Sequence, residues 1–290
     1  MSTTQLSVAV VGAGGKMGMR VSANLQKSEY TVFYSENSPA GQDRVRAAGR
    51  DVTATETAVP QADVVILAVP DTLLGVISEG IVPEMKASSI LLTLDPAAAY
   101  AGLLAKRDDV TQAVAHPCHP SVFLERYKKE EYEDTFGGAA APQNVVAAIE
   151  TNGPDAEQAA QKAAAEAVIK VIYAPVIDVH WVTVKQLAVL EPTLVETVAC
   201  MIGTLLNEAL YETVHRVGVP EEAAKAMLFG HVQIALTNAL RGSNPFSEAC
   251  EIAIQYGKNT IIKDDWKKIF DDSELDNVIA QMLKLDAARR

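Results

Sequence analysis

Ser7-Val-Ala-Val-Val11, continued by Gly12-Ala13-Gly14-Gly15-Lys16-Met17-Gly18, is the stretch that decides the fold. The β-branched run reads as a buried strand and Lys16 to Lys27 as a helix, so the glycines fall on a strand-to-helix turn. A phosphate needs backbone N–H groups aimed at it, glycines that let it approach, and the positive end of a helix dipole behind it. This segment offers all three. Its spacing, G-x-G-G-x-x-G, sets the last glycine one place beyond the dinucleotide fingerprint and puts Met17 where the third glycine usually stands. Gly12, Ala13, Gly14, Gly15, Lys16 and Met17 are the expected cofactor-binding residues; the bland alternative is a structural tight turn.

Outward from that turn, Tyr30–Ser35, Ala62–Val69, Ser89–Thr93, Val110–Ala115, Asn144–Glu150 and Val171–Val176 read as strands, with an alanine-rich helix over Asp155–Val168. That rhythm means βαβ units and a sheet covered on both faces. After Val179 the character changes: Trp181–Arg216, Glu221–Arg241, Pro245–Tyr256 and Trp266–Leu285 carry helical periodicity, punctuated at Gly218-Val-Pro220 and Arg241-Gly-Ser-Asn-Pro245. The predicted organisation is α/β, a Rossmann-type dinucleotide-binding domain over residues 1–179 followed by an all-α substrate and dimerisation domain over 180–290.

The composition supports a globular chain. Of 290 residues, 49% are hydrophobic and 21% charged, which excludes disorder and a small disulfide scaffold. The formal charge of −12, with no visible cluster of basic residues, argues against nucleic acid. Cys118, Cys200 and Cys250 are odd in number and widely spaced, which fits a reducing cytosol. No targeting signal opens the chain and no stretch reads as apolar over about 18 residues, so a cytoplasmic protein without a membrane partner is expected.

The second strand ends Phe33-Tyr-Ser-Glu36, placing a carboxylate twenty-two positions after Gly14, where it can bond the adenosine ribose and repel a 2′-phosphate. NAD is therefore expected over NADP. Asp71, at the strand end Ala68-Val-Pro-Asp71, should border the cofactor or else cap the next helix.

Polar residues also gather where a strand ends at Ala115-His116-Pro117-Cys118-His119-Pro120. Ligands of open α/β sheets bind beyond the carboxyl ends of strands, and each proline stiffens the histidine before it. The two imidazoles can supply a metal ligand, a general base, or both. On the first long helix of the C-terminal part, Glu191 shares the apolar stripe of Leu187, Leu190, Leu194, Val195, Val198, Met201, Ile202 and Leu205, beside Pro192. A carboxylate on such a stripe is costly unless paired or metal-bound, so His116 and Glu191 are the expected ligands of a divalent metal. His119 and His231, the latter on a second apolar helix face, are the candidates for proton transfer.

The G-A-G-G-K-M-G loop, Glu36, the A-V-P-D strand end and the following helical domain resemble the 6-phosphogluconate and β-hydroxyacid dehydrogenase superfamily over essentially the whole chain. Decarboxylating members carry a catalytic Lys followed four places later by Asn; here Lys185 can fill the first role, but Val189 occupies the second. Their glycine-rich substrate loop is replaced by H-P-C-H-P. That segment, with Leu190-Glu191-Pro192-Thr193 and the Gly230-His231 helix, resembles the D-apionate oxidoisomerase family. The resemblance implies NAD-dependent conversion of D-apionate to 3-oxo-isoapionate in apiose catabolism, with His116 and Glu191 as metal ligands; a His/carboxylate pair is compatible with zinc.

Two other readings compete. One is a metal-free hydroxy-acid dehydrogenase using Lys185, to which a similarity of the H-P segment with the H-P-M motif of prephenate dehydrogenases adds a further substrate class. The other is a non-catalytic NAD-binding sensor, which has no need for an inward Glu or paired histidines. Helices this apolar suggest that a second subunit covers them, so a homodimer is expected.

Overall fold

The computed structural model describes residues 5–151, 154–242 and 244–286. The first four residues of the N-terminus read above, and Ser243 of the second helix-to-helix turn, lie outside them. Seven strands form one sheet: β1 Ser7–Val11, β2 Thr31–Ser35, β3 Val64–Leu67, β4 Ile90–Thr93, β5 Thr111–Pro117, β6 Gln143–Glu150 and β7 Val176–Val182. Their order is β2-β1-β3-β4-β5-β6-β7. The first five run parallel; β6 is antiparallel to β5, and β7 runs parallel to β6.

The runs become central strands because they are apolar on both sides of the pleat. Every residue of β3 and β4 is buried, as a sheet covered on both faces requires. One face packs Val8, Val10, Ile66 and Leu92 with Val21 and Leu25 of the helix Lys16–Leu25 and Val168, Ile169 and Ile172 of the helix Asp155–Ile172. The other packs Ala9, Val65, Leu67 and Leu91 against Leu74, Ile81 and Leu104. Deleting such a side chain, as in Ile66→Ala, costs about 2–5 kcal/mol.

By contacts the chain divides into two compact units, one comprising residues 1–191 with 276–290, the other residues 192–275. The strand expected at Val171–Val176 begins only at Val176, because the alanine-rich helix continues to Ile172. That strand then carries on through Trp181 to Val182, so the expected boundary at 179/180 falls inside β7. Trp181 reads as helix-compatible only until its neighbours pair with β6 at Val146 to Ala148.

Beyond β7 the chain is continuously helical from Val184 to His215, and its middle section, Val189–Cys200, is π-helical around Pro192. A proline removes one hydrogen bond of the α-pattern, and the wider π-turn accommodates that loss. The wider turn also breaks the stripe predicted at roughly 100° per residue. Leu187 and Glu191 are buried, whereas Leu194, Val195, Met201 and Ile202 are exposed on the single chain. This helix is also long and apolar enough, by length and composition, to cross a membrane, which corrects the expectation that no such stretch exists. Within 192–275 the helices Glu221–Arg241 and Glu248–Ile261 stand close to their predicted positions.

Candidate active site

The site is built at the carboxyl edge of the parallel strands, starting from the turn after β1. Gly12 and Ala13 both donate their N–H to the Ser35 carbonyl, which fastens the turn to the end of β2. Gly12 sits at φ +83°, and a Cβ there would meet the Ala68 carbonyl oxygen at 2.6 Å. A Cβ on Gly18 would lie 2.0 Å from the Gly12 carbonyl oxygen. Gly18, one place late by the usual fingerprint, is thus the residue that lets helix and turn touch. Gly15 caps the helix Lys16–Leu25 without a side chain, and no acidic residue stands in its first turn. Lys16, the first helical residue, is exposed, and a helix N-terminus without acidic residues carries the positive end of the dipole that an anion site needs.

Glu36 reaches across this turn. Its Oε2 accepts the Gly14 N–H at 3.0 Å and its Oε1 accepts the Ser38 N–H and hydroxyl, each at 2.9 Å. Burial works against the charged form, but these donors prevail and hold the Glu36 carboxyl below its ordinary range. Arg44 donates from Nε to the Gly14 carbonyl at 2.8 Å, so its guanidinium braces the same turn. Asp71 is the first residue of the helix Asp71–Ile81, with Pro70 at the cap position, and burial pushes its carboxyl upward.

At the ends of β4 and β5 three side chains converge. One ligand atom each of Asp95, His116 and Glu191 lie within 4.8 Å of one another. His116 and Glu191 are two of the residues singled out in the sequence; Asp95 was missed. Its signal was Leu94-Asp95-Pro96 directly after β4, where continuing the register that pairs Thr93 with Val114 sets Asp95 beside His116 at the end of β5. Asp95 Oδ1 also accepts the Ala97 N–H at 2.8 Å. Glu191, in the π-helical section, is 5% exposed.

His116 Nδ1 lies 3.2 Å from the Leu94 carbonyl oxygen. A carbonyl only accepts, so Nδ1 carries the hydrogen and the Nε2 lone pair is left for a ligand. Withdrawal from water pulls the imidazole pKa down to about 4, with the nearby His119 pulling the same way and the Leu94 bond opposing. His116 is therefore neutral at physiological pH. His119, at φ +58°, donates Nδ1–H to the Phe136 carbonyl at 2.7 Å, and its ring lies edge-on to that of His116 at 6.4 Å between centroids. The same tautomer argument leaves the lone pair of His119 on Nε2. The Tyr173 hydroxyl donates to the Ala115 carbonyl, next to His116 in the chain, at 2.9 Å, and burial, with Asp95 nearby, raises its pKa.

Two further candidates stand later in the chain. His231 belongs to residues 192–275, is exposed, and hydrogen-bonds the Met227 carbonyl through Nδ1 at 2.8 Å. Lys185 stands in the first turn after β7 and is exposed.

The family model described as acetohydroxy acid isomeroreductase, NADPH-binding domain, matches residues 3–171, and that of the phosphogluconate dehydrogenase (decarboxylating) C-terminal region matches residues 125–283. Among solved structures, a semialdehyde dehydrogenase NAD-binding protein from Cupriavidus necator, in complex with calcium and NAD, superposes with a TM-score of 0.90 at 42% identity, covering 96% of this chain and 100% of that one. A sheet that carries its phosphate turn after β1 and its ionisable cluster after β4 and β5 defines an NAD-dependent oxidoreductase. Among curated relatives, the D-apionate oxidoisomerase of Pectobacterium atrosepticum is 64% identical over the full length of both chains. That of Cupriavidus necator is 44% identical over 92% of this chain and 96% of its own. The chain belongs to the D-apionate oxidoisomerase family.

Proposed function

We propose that the enzyme converts D-apionate to 3-oxo-isoapionate in apiose catabolism: NAD takes the hydride as a secondary alcohol becomes a ketone, and a carbon substituent then migrates from the adjacent tertiary alcohol to that ketone carbon, so that the tertiary hydroxyl becomes the new carbonyl. Asp95, His116 and Glu191 would hold a divalent ion. The convergence of these three donors at the strand edge carries this reading. Three protein donors of mixed nitrogen and oxygen type fit a catalytic transition-metal site, which keeps a position for substrate. Calcium and magnesium prefer oxygen alone, so the imidazole favours zinc. When bound, such an ion would supply an electrophile that polarises a carbonyl and acidifies a hydroxyl.

The chain's own groups do the rest. The Leu94 carbonyl fixes the His116 tautomer, which leaves the Nε2 lone pair as the one that would ligate an ion. His119, oriented by the Phe136 carbonyl, takes the hydroxyl proton at Nε2; His231 is the second candidate for that role. The turn after β1 cradles the pyrophosphate, Glu36 bonds the ribose and favours NAD over NADP, and Asp71 borders the cofactor.

We further infer a homodimer in the cytoplasm. The exposed Leu194, Val195, Met201, Ile202, Met227, Phe229 and Ile234 form apolar surface of the kind a second copy covers, which also accounts for the apolar length of Val184–His215 without a bilayer. The three cysteines are free, as in a reducing compartment. The test is elemental analysis of chelator-free protein combined with NADH production and product identification on D-apionate and a hydroxy-acid panel. Stoichiometric zinc with the rearranged product supports the reading. Metal-free protein that oxidises simple hydroxy acids and depends on Lys185 overturns it.

A further inference from the structure

Lys16 and Arg20 stand one turn apart on the same face of the helix that opens at the phosphate turn. The Arg20 guanidinium carbon lies 3.6 Å from the Phe136 ring centroid and Lys16 Nζ lies 5.8 Å from it. Among the described residues neither cation is paired with a carboxylate, in a chain whose formal charge is −12. Two unpaired cations gathered on one ring, in a chain so rich in acids, call for an anion.

The ring beneath them is a fixed platform. Asp134 Oδ2 accepts the N–H groups of Ala139, Ala140 and Ala141 at 3.1, 2.8 and 3.0 Å, and Oδ1 accepts that of Gly137 at 2.9 Å. Asn24 ties the same loop to the first helix by donating to the Gly138 carbonyl at 3.0 Å. A guanidinium held over an aromatic ring uses none of its N–H donors on a carboxylate there and can offer them to a planar anion. The platform also faces the reactive cluster: the His119 ring is 4.5 Å from that of Phe136 and 6.4 Å from that of His116.

We propose that Arg20, seconded by Lys16 on the Phe136 platform, is the subsite that receives the carboxylate of the sugar-acid substrate. The inference rests on the proposed function, since it presumes an anionic substrate. The cofactor pyrophosphate offers the same chemistry, and the experiment separates the two sources.

In the holoenzyme, Arg20→Met is compared with wild type and Arg20→Lys for kcat and KM on D-apionate, for binding of NADH by fluorescence, and for competition by the neutral polyol D-apiitol, which lacks the carboxylate. The expected result is a rise in KM on the order of 10- to 100-fold, the range for one charge-assisted hydrogen-bonding group, with NADH affinity within about twofold, D-apiitol binding unchanged and partial rescue by lysine. Weakened NADH binding with an unchanged KM assigns the pair to the pyrophosphate and overturns the proposal. Equal loss for acid and polyol makes Arg20 structural and also overturns it. Wild type that turns over a different hydroxy acid with the same Arg20 dependence keeps the subsite and refutes only the substrate reading.

Discussion

The Nδ1 of His116 hydrogen-bonds the carbonyl of Leu94, so the backbone that sets one acid of the cluster, Asp95, also sets the tautomer of its imidazole. Because water is withheld from it, this histidine titrates near 4 in the folded chain, below its ordinary value of 6.5. Between those values the unfolded chain binds the extra proton and the folded chain does not. Stability of chelator-treated protein therefore falls as pH drops from about 6.5 to 4, by up to roughly 3 kcal/mol, and is fully present above that window. Urea titrations across that range, with His116→Gln as reference, should show the slope in wild type and a flatter one in the variant.

Glu191→Gln and Asp95→Asn each keep the shape of the side chain and remove a charge from the cluster. Each should lower metal content and cut turnover by 10²-fold or more while NADH binding holds within about twofold. Elemental analysis beside fluorescence titration checks this. A Glu191→Gln enzyme with full turnover would falsify the metal reading.

Glu36→Ser removes the carboxylate that holds the Gly14 and Ser38 donors. NAD affinity should fall by about 10-fold for the lost charged hydrogen bond, and the NADP-to-NAD preference should rise by at least as much once the repulsion is gone. Steady-state kinetics with both nucleotides measures the ratio.

Gly18→Ala places a methyl 2.0 Å from the Gly12 carbonyl oxygen. The first turn of the helix has to move, so NAD binding should drop below detection with about 1–3 kcal/mol lost in thermal unfolding. Gly80→Ala, in open space on the helix Asp71–Ile81, is the control and should be neutral or slightly stabilising.

Much of this was legible in the chain because the signals were local. A β-branched run, a glycine turn and a helix are contiguous, and strands buried on both faces read as unbroken apolar runs whatever surrounds them. His116 was legible for the same reason, as the end of such a run. Glu191 stood out because a carboxylate interrupts an apolar stripe. Asp95 did not, since an Asp-Pro pair after a strand is also an ordinary turn, and only the pairing of β4 with β5 sets it beside His116. The strand at Val176–Val182 was misplaced because pairing with β6, not local pattern, fixes its register. The platform under Arg20 joins the first helix to a loop more than a hundred residues later, a contact no periodicity encodes.

The nucleotide-binding unit is not finished when its last strand has been made. Residues 276–286 return to it: Ile279 and Leu283 are buried, and Asp276 accepts the Tyr100 hydroxyl at 2.8 Å. During synthesis the ribosome must deliver the whole intervening helical segment before the first unit can close. A chain cut short after Asp271 would retain every residue of the glycine turn and of the His–carboxylate cluster, yet emerge with an uncovered apolar patch, a substrate for chaperones and proteases.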